Sequence, residues 1–189
     1  KRFYAPVMLS VEDAPPCQSI YVSSDLRRPW EGTARWALTT LDGRELDAGE
    51  QPARVAPSGV TQVAQLDFTR YLDLDSRREL VFVAELWQGD ARLARNTAFF
   101  VPTKHLSLAD PQLRAEVTQE GDQLAIHLTA RSLARLVEAR LDGADVVWSD
   151  NYFDLPAGAT VTITAPLPAG WTLDRARGAL RLRSVVDTY

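Results

Sequence analysis

Paired carboxylates can run general acid and base chemistry when burial holds one of them protonated, and the chain carries 25 Asp and Glu residues. Their spacing along the sequence does not bring any two together. The tightest local group, Asp145, Asp150 and Asp154 with Asn151, can be drawn as a calcium loop. It lacks the Asp-x-Asp-x-Asn-Gly spacing that wraps oxygens around the ion, so it reads as turn and strand structure. Asp73 and Asp75 make a weaker case of the same kind. His105 and His127, the only histidines, match no zinc spacing. His127 lies between Ile126 and Leu128, which share an apolar face with Leu124, so its ring is expected to face solvent. Cys17 stands alone and can form neither an intrachain disulfide nor a cysteine zinc cluster. No nucleophile elbow, phosphate loop or dinucleotide fingerprint occurs. The sequence therefore assigns no catalytic residue, no metal ligand and no cofactor. Five tryptophans offer another chemistry, because an indole face can stack on the apolar face of a sugar ring. Trp30, Trp87 and Trp171 lie near predicted loops and are the candidates, with packing in a core or a domain interface as the competing role. Trp36 and Trp148 are assigned to cores.

The elements that must position these residues follow from hydrophobic alternation broken every eight to twelve positions by turn residues, the pattern of an all-β sandwich. Strands are predicted at 7–12, 19–24, 33–41, 45–55, 60–67, 79–87 and 91–101, with turns at Asp42-Gly43 and Gln88-Gly89-Asp90. Ala34, Trp36 and Leu38 then point inward and Arg35, Ala37 and Thr39 outward. Leu80, Phe82, Ala84 and Leu86 share one face of their strand, and Val81, Val83, Glu85 and Trp87 share the other. Between Phe100 and Pro111 the alternation stops at a proline-bracketed connector, which divides the chain into residues 1–103 and 104–189. Further strands are predicted at 113–118, 123–129, 135–141, 146–149, 152–155, 160–164 and 180–186. Leu133, Leu136, Val137 and Leu141 also follow helical spacing, but Asp142-Gly143 closes the segment as a hairpin turn does. A helical turn at 132–135 before a strand at 136–141 accommodates both patterns. Residues 165–179, with Pro166, Pro168, Gly170 and Gly178, read as a long loop. The fold class is all-β, two tandem immunoglobulin-like β-sandwiches.

Composition restricts the partners. Apolar types make up 46% and charged types 24% of 189 residues, as in folded soluble domains. A net charge of -4 lacks the one-signed excess of a nucleic-acid or anionic-membrane binder. No apolar run is long enough to span a membrane as a helix, and nothing in the sequence fixes a compartment. The chain opens on Lys1, which predicts a processed product or an excised piece.

Three stretches carry a resemblance: Lys1-Arg-Phe-Tyr-Ala-Pro-Val7, the connector Phe100-Val-Pro-Thr-Lys-His-Leu106 with Leu108 and Pro111, and above all Ser149-Asp-Asn-Tyr-Phe-Asp-Leu155. Together with the chain end Ser184-Val-Val-Asp-Thr-Tyr189, they resemble the C-terminal region of β-mannosidases of glycoside hydrolase family 2. The resemblance implies two immunoglobulin-like domains that follow a catalytic (β/α)₈ barrel carrying both catalytic glutamates. No catalytic residue transfers to this chain, because neither glutamate motif occurs in it. The implied partner is the barrel of the same parent chain, which would hydrolyse terminal β-D-mannosides with retention. The alternative is a carbohydrate-binding tandem that holds β-mannosides or manno-oligosaccharides. Docking on the barrel is expected through Lys1 to Pro6, where Phe3 and Tyr4 have too little chain before them to be covered by their own sandwich. In the Ser149 to Leu155 run, Tyr152 and Phe153 are expected at a strand crossing, with Asp150 or Asn151 bonding turn backbone.

Overall fold

The computed structural model describes residues 5–188. Two compact units form, one running to Ser107 and one beginning at Leu108, and each is a β-sandwich.

In the first unit, β1 (Val7–Ala14), β2 (Cys17–Ser24) and β5 (Gly59–Asp67) make one sheet in the order β1-β2-β5. The strands β3 (Trp30–Thr40), β4 (Glu45–Val55), β6 (Leu80–Gln88) and β7 (Ala91–Phe99) make the other, in the order β4-β3-β6-β7. All pairings are antiparallel. Gly89 takes the positive φ that the tight turn between β6 and β7 requires. The alternation sorts the faces as predicted: Ala34, Leu38, Phe82, Ala84 and Leu86 are fully buried, with Ile20 and Val22 from the other sheet. Phe68 closes the end of this core, its ring 5.4 Å from that of Phe82 and edge-on to Phe100 at 5.9 Å. Side chains stitch the two sheets along both open sides. On one, the Thr61 hydroxyl donates to the Arg54 carbonyl at 3.0 Å; on the other, the Asn96 amide donates to the Leu9 carbonyl at 2.7 Å. These bonds occupy carbonyls that edge strands would otherwise offer to other chains.

In the second unit, β8 (Arg114–Glu120), β9 (Gln123–Thr129) and β12 (Thr160–Pro166) form one sheet in the order β12-β9-β8. The strands β10 (Ala134–Leu141), β11 (Phe153–Leu155) and β13 (Leu180–Arg183) form the other, in the order β11-β10-β13. Leu124, Ile126, Leu128, Leu133, Val137, Leu155 and Ile163 fill the space between them.

Four expectations are corrected here. Residues 146–149 form no strand: Asp142-Gly143 turns the chain, but only an isolated bridge, Leu141 to Ala144, follows it. No helical turn forms at 132–135; residues 131–132 are a bend and β10 begins at Ala134. The apparent helical spacing there comes from a bulge, a register shift between Ala134 and Val137 that turns Leu136 outward. The strand predicted at 180–186 stops at Arg183, where the Ser184 backbone N–H and hydroxyl both donate to Asp187 and a 3-10 turn follows. Finally, the loop at 165–179 contains a helix, α1 (Leu173–Ala179). Thr172 caps it by accepting the Arg175 N–H on its hydroxyl, and Asp174 sits in its first turn. Only Ala176 is buried, so two turns of helix leave almost no periodic signal in the sequence.

Candidate functional site

The tryptophan candidates part company in the structure. Trp30, expected near a loop, is the first residue of β3 and is only 4% exposed, inside the first core. It has no indole face to offer a ligand. Trp36, on the same strand, is half-buried against that core and lies over Gly49 of the neighbouring strand. Trp148 is buried as expected, although its indole nitrogen finds no partner. Phe3 and Tyr4 lie outside the described residues.

Trp87 is on the outer face of the four-stranded sheet, where period-2 geometry lines up Glu50, Arg35, Glu85 and Arg95 directly across β4, β3, β6 and β7. Opposite charges alternate along this row. Arg35 reaches Glu50 at 3.0 Å, and Glu85 takes Arg95 at 2.7 Å and Arg92 at 3.2 Å. The Trp87 indole donates to the second Glu85 oxygen at 3.0 Å, and the Arg35 guanidinium sits 4.9 Å above the Trp87 ring. One face of Trp87 is thus covered by a cation of its own sheet.

Burial pushes the Glu85 carboxyl up, but the Arg95 hydrogen bond and charge, the Trp87 N–H and the Arg92 charge outweigh it, so it titrates below the usual carboxylate range. The stability it contributes is therefore present above the unfolded-state pKa and is lost as pH falls through the lower folded value. Solvent still reaches the group, and screening trims its contribution to about 1 kcal/mol. Glu85→Gln is expected to lower the midpoint of thermal unfolding at pH 7, with the gap to wild type closing below about pH 4. A gap that stays constant down to pH 3 would show that the ion pairs are not its source.

In the second unit, Trp171 packs on the core while Arg175 of α1 stacks on its ring at 4.2 Å. A cleft of about 590 Å³ opens between β8 and β13, lined by Ala115, Glu116, Val117, Arg177, Leu180 and Leu182. It holds one carboxylate, and Arg177 spans it to donate from Nε and Nη2 to the Val117 carbonyl at 3.2 and 3.0 Å. This cleft is a sandwich side stitched by one arginine.

The opposite side is closed by the Ser149 to Leu155 run. Ser149 pairs with Thr164 of β12, its N–H donating at 2.7 Å and its hydroxyl accepting the Thr164 N–H at 2.9 Å. Two residues on, Asn151 has reached the other sheet: its side-chain oxygen accepts the Ala139 N–H at 2.8 Å and its amide donates to the Ala139 carbonyl at 3.1 Å. An amide side chain here takes the place of a neighbouring strand: the backbone that Asn151 bonds belongs to β10, and not to a turn as expected. Asp150 accepts the adjacent Asn151 N–H at 3.1 Å. Phe153 and Leu155 drop into the core. Asp154 accepts the Leu136 N–H at 2.9 Å and faces Arg135 at 3.4 Å, which ties down the β10 bulge. Tyr152 does not join Phe153 in the interior. It is 61% exposed, and its hydroxyl donates to Glu138 at 3.0 Å, a bond that with the carboxylate charge holds the phenol above its usual range.

The remaining candidates are dispersed. Among the described residues, no three His, Cys, Asp or Glu side chains come together. The His127 ring lies between the Thr162 and Thr118 hydroxyls at 2.9 and 3.4 Å, and His105 is exposed in a 3-10 turn. No helix among the described residues is long and apolar enough to cross a membrane.

Two family models match the chain, a mannosidase Ig/CBM-like domain over residues 18–105 and an Ig-fold domain of the mannosidase type over residues 108–188. A search of curated proteins finds no match. Among solved structures, a β-D-mannosidase of Dictyoglomus thermophilum is similar over 97% of this chain at 19% identity, with a TM-score of 0.84. An exo-chitosanase of Amycolatopsis orientalis is similar over 93% at 17% identity, with a TM-score of 0.61. At such identities the likeness is one of fold, and this chain spans only 22% and 25% of those two. With nearly all of the sequence taken up by the two models, and with a sandwich under each, the chain belongs to the mannosidase immunoglobulin-like domains, one of each type in series.

Proposed function

We propose that the chain is the non-catalytic C-terminal part of a β-mannosidase-like glycoside hydrolase and supports its catalytic barrel by docking against it. The barrel would remove terminal β-D-mannosyl groups with retention of configuration. The observation that carries this reading is that the residues fit for chemistry are used by the fold itself. Glu85 binds two arginines and an indole, Asp154 holds a bulge, and Trp87 and Trp171 each lie under an arginine. A retaining mechanism needs two carboxyl groups about 5 Å apart across the scissile bond, and the cleft beside β8 offers Glu116 alone. Stacking on a sugar needs a free aromatic face, and the three tryptophan candidates are buried or covered by an arginine, which favours support over the carbohydrate-binding alternative. The division near Thr103 and docking through Lys1 to Pro6, with Phe3 and Tyr4 as anchors, belong to the same proposal.

The purified chain is expected to hydrolyse no aryl β-mannoside above background. Deleting it from the longer polypeptide is expected to lower thermal stability or solubility more than turnover per folded molecule. Turnover by the chain itself, abolished by replacing one of its own acids, would end this reading. A truncated polypeptide that stays stable yet loses affinity for long mannans would replace it with the binding tandem.

A further inference from the structure

Four non-glycine residues among those described have positive φ: Ser58, Gln112, Leu136 and Tyr152. The first two are polar loop residues, for which that conformation is unremarkable. Leucine and tyrosine rarely adopt it, because their side chains crowd the backbone, and a fold holds them there only by over-determining the site. Here the bonds that do so are visible. The Leu136 N–H donates to Asp154, the Tyr152 N–H donates to the Val137 carbonyl at 2.8 Å, and the Tyr152 hydroxyl is fixed by Glu138. The outcome is two large side chains turned out of the sandwich on either side of the Val137–Phe153 pair at the β10–β11 bulge, Leu136 44% and Tyr152 61% exposed. Glu138, Arg140 and Arg183 on the outward face of β10 and β13 give this apolar knob a polar surround.

We propose that Leu136 and Tyr152 are a docking knob of the second sandwich, seated against the catalytic domain of the same polypeptide. The inference rests on the supporting role proposed above and gives it a second anchor besides Lys1 to Pro6. The size of the patch selects a tethered partner. The two side chains expose on the order of 200 Å², far short of the roughly 1,200–2,000 Å² that a stable complex between free molecules buries. A partner joined by the chain meets the knob at high effective concentration and needs much less. This portion spans only 22% and 25% of the two similar solved chains, so most of such a polypeptide lies outside it.

The test uses the double variant Leu136→Gly, Tyr152→Ser, together with Leu136→Gly alone. In the 189-residue chain, Leu136→Gly is expected to raise the unfolding midpoint by about 2 °C, because glycine accepts positive φ without strain. In the longer polypeptide the double variant is expected to speed proteolytic release of the two sandwiches by roughly tenfold, an effect of lost docking on local opening. Turnover per folded molecule should stay unchanged. Three results would overturn the proposal. If the double variant leaves release unchanged while deletion of residues 1–189 destabilises the catalytic domain, docking lies elsewhere and the supporting role stands. If deletion also changes nothing, both fall. If the 189-residue chain sediments as a dimer that the variant dissolves, or binds manno-oligosaccharides through Tyr152, the occupant is a second copy or a sugar.

Discussion

Gly32→Ala is expected to destabilise the first unit by about 3 kcal/mol, at the upper end for overpacking by one methyl group, and to lower its midpoint by roughly 10 °C or more. Gly32 is on the inward face of β3, two residues after Trp30, whose six-membered ring folds back across it. A Cβ at this position would overlap that ring and also the backbone carbonyl oxygen of Trp87 on β6. A ring can turn aside, whereas a carbonyl in a paired central strand cannot move without carrying the ladder with it. Gly49→Ala is the control. There the three atoms nearest the added Cβ all belong to the ring of Trp36, a half-buried side chain and no part of the backbone ladder, so its effect should be clearly smaller. Urea or thermal unfolding of both variants decides the point, and a Gly32→Ala midpoint equal to or above that of Gly49→Ala would refute the argument.

Gly32 also shows where sequence reading stops. Alternation sorted the faces of β3 and β6, because a residue's side of a pleated strand depends only on its position in the strand. It could not tell which neighbour presses on a glycine, since Trp87 is 55 residues away along the chain. The same limit explains Trp30. A strand predicted from Thr33 leaves Trp30 in a loop, yet its pairing with Val55 of β4 extends β3 back to it and buries the ring. Of the charge row, the sequence placed Arg35 outward and Glu85 on one face with Trp87, and it gave no ion pairs, because register between strands is set by turns and bulges that the alternation does not encode. In the second unit the misses cluster where backbone bonds come from side chains. Residues 146–149 have strand-like composition, but Val147 is 87% exposed and the segment is crossing between sheets, with Ser149 and Asn151 supplying the bonds at either end.

The run from Ser149 to Leu155 was the most specific stretch in the sequence, and its geometry accounts for Ser149, Asn151, Phe153, Asp154 and Leu155. Asn151→Ala is accordingly expected to destabilise the second unit by about 3 kcal/mol. Ala139 is 2% exposed, and its N–H and carbonyl are both satisfied by the Asn151 side chain. Removing that side chain leaves two buried backbone groups without these bonds, each costing about 1–3 kcal/mol when water cannot replace the partner. The two together would cost roughly 2–6 kcal/mol, and the effect is held in the lower half of that sum because the segment lies at the side of the sandwich, where some water can enter. The substitution removes little apolar volume, so a large effect could not be assigned to a cavity. The discriminating measurement is amide hydrogen exchange: the Ala139 N–H should lose protection by at least tenfold, while amides in the first unit, such as that of Phe82, keep theirs. Asn151→Asp separates the two bonds, since a carboxylate still accepts from the Ala139 N–H but sets a charged oxygen against the Ala139 carbonyl. It should destabilise most at neutral pH and recover as acid protonates the new carboxyl, which can then donate to the carbonyl as the native amide does. If Ala139 stays protected in Asn151→Ala, the two sheets are held on this side by packing of Phe153 and Leu155, and the side-chain strand substitute is incidental.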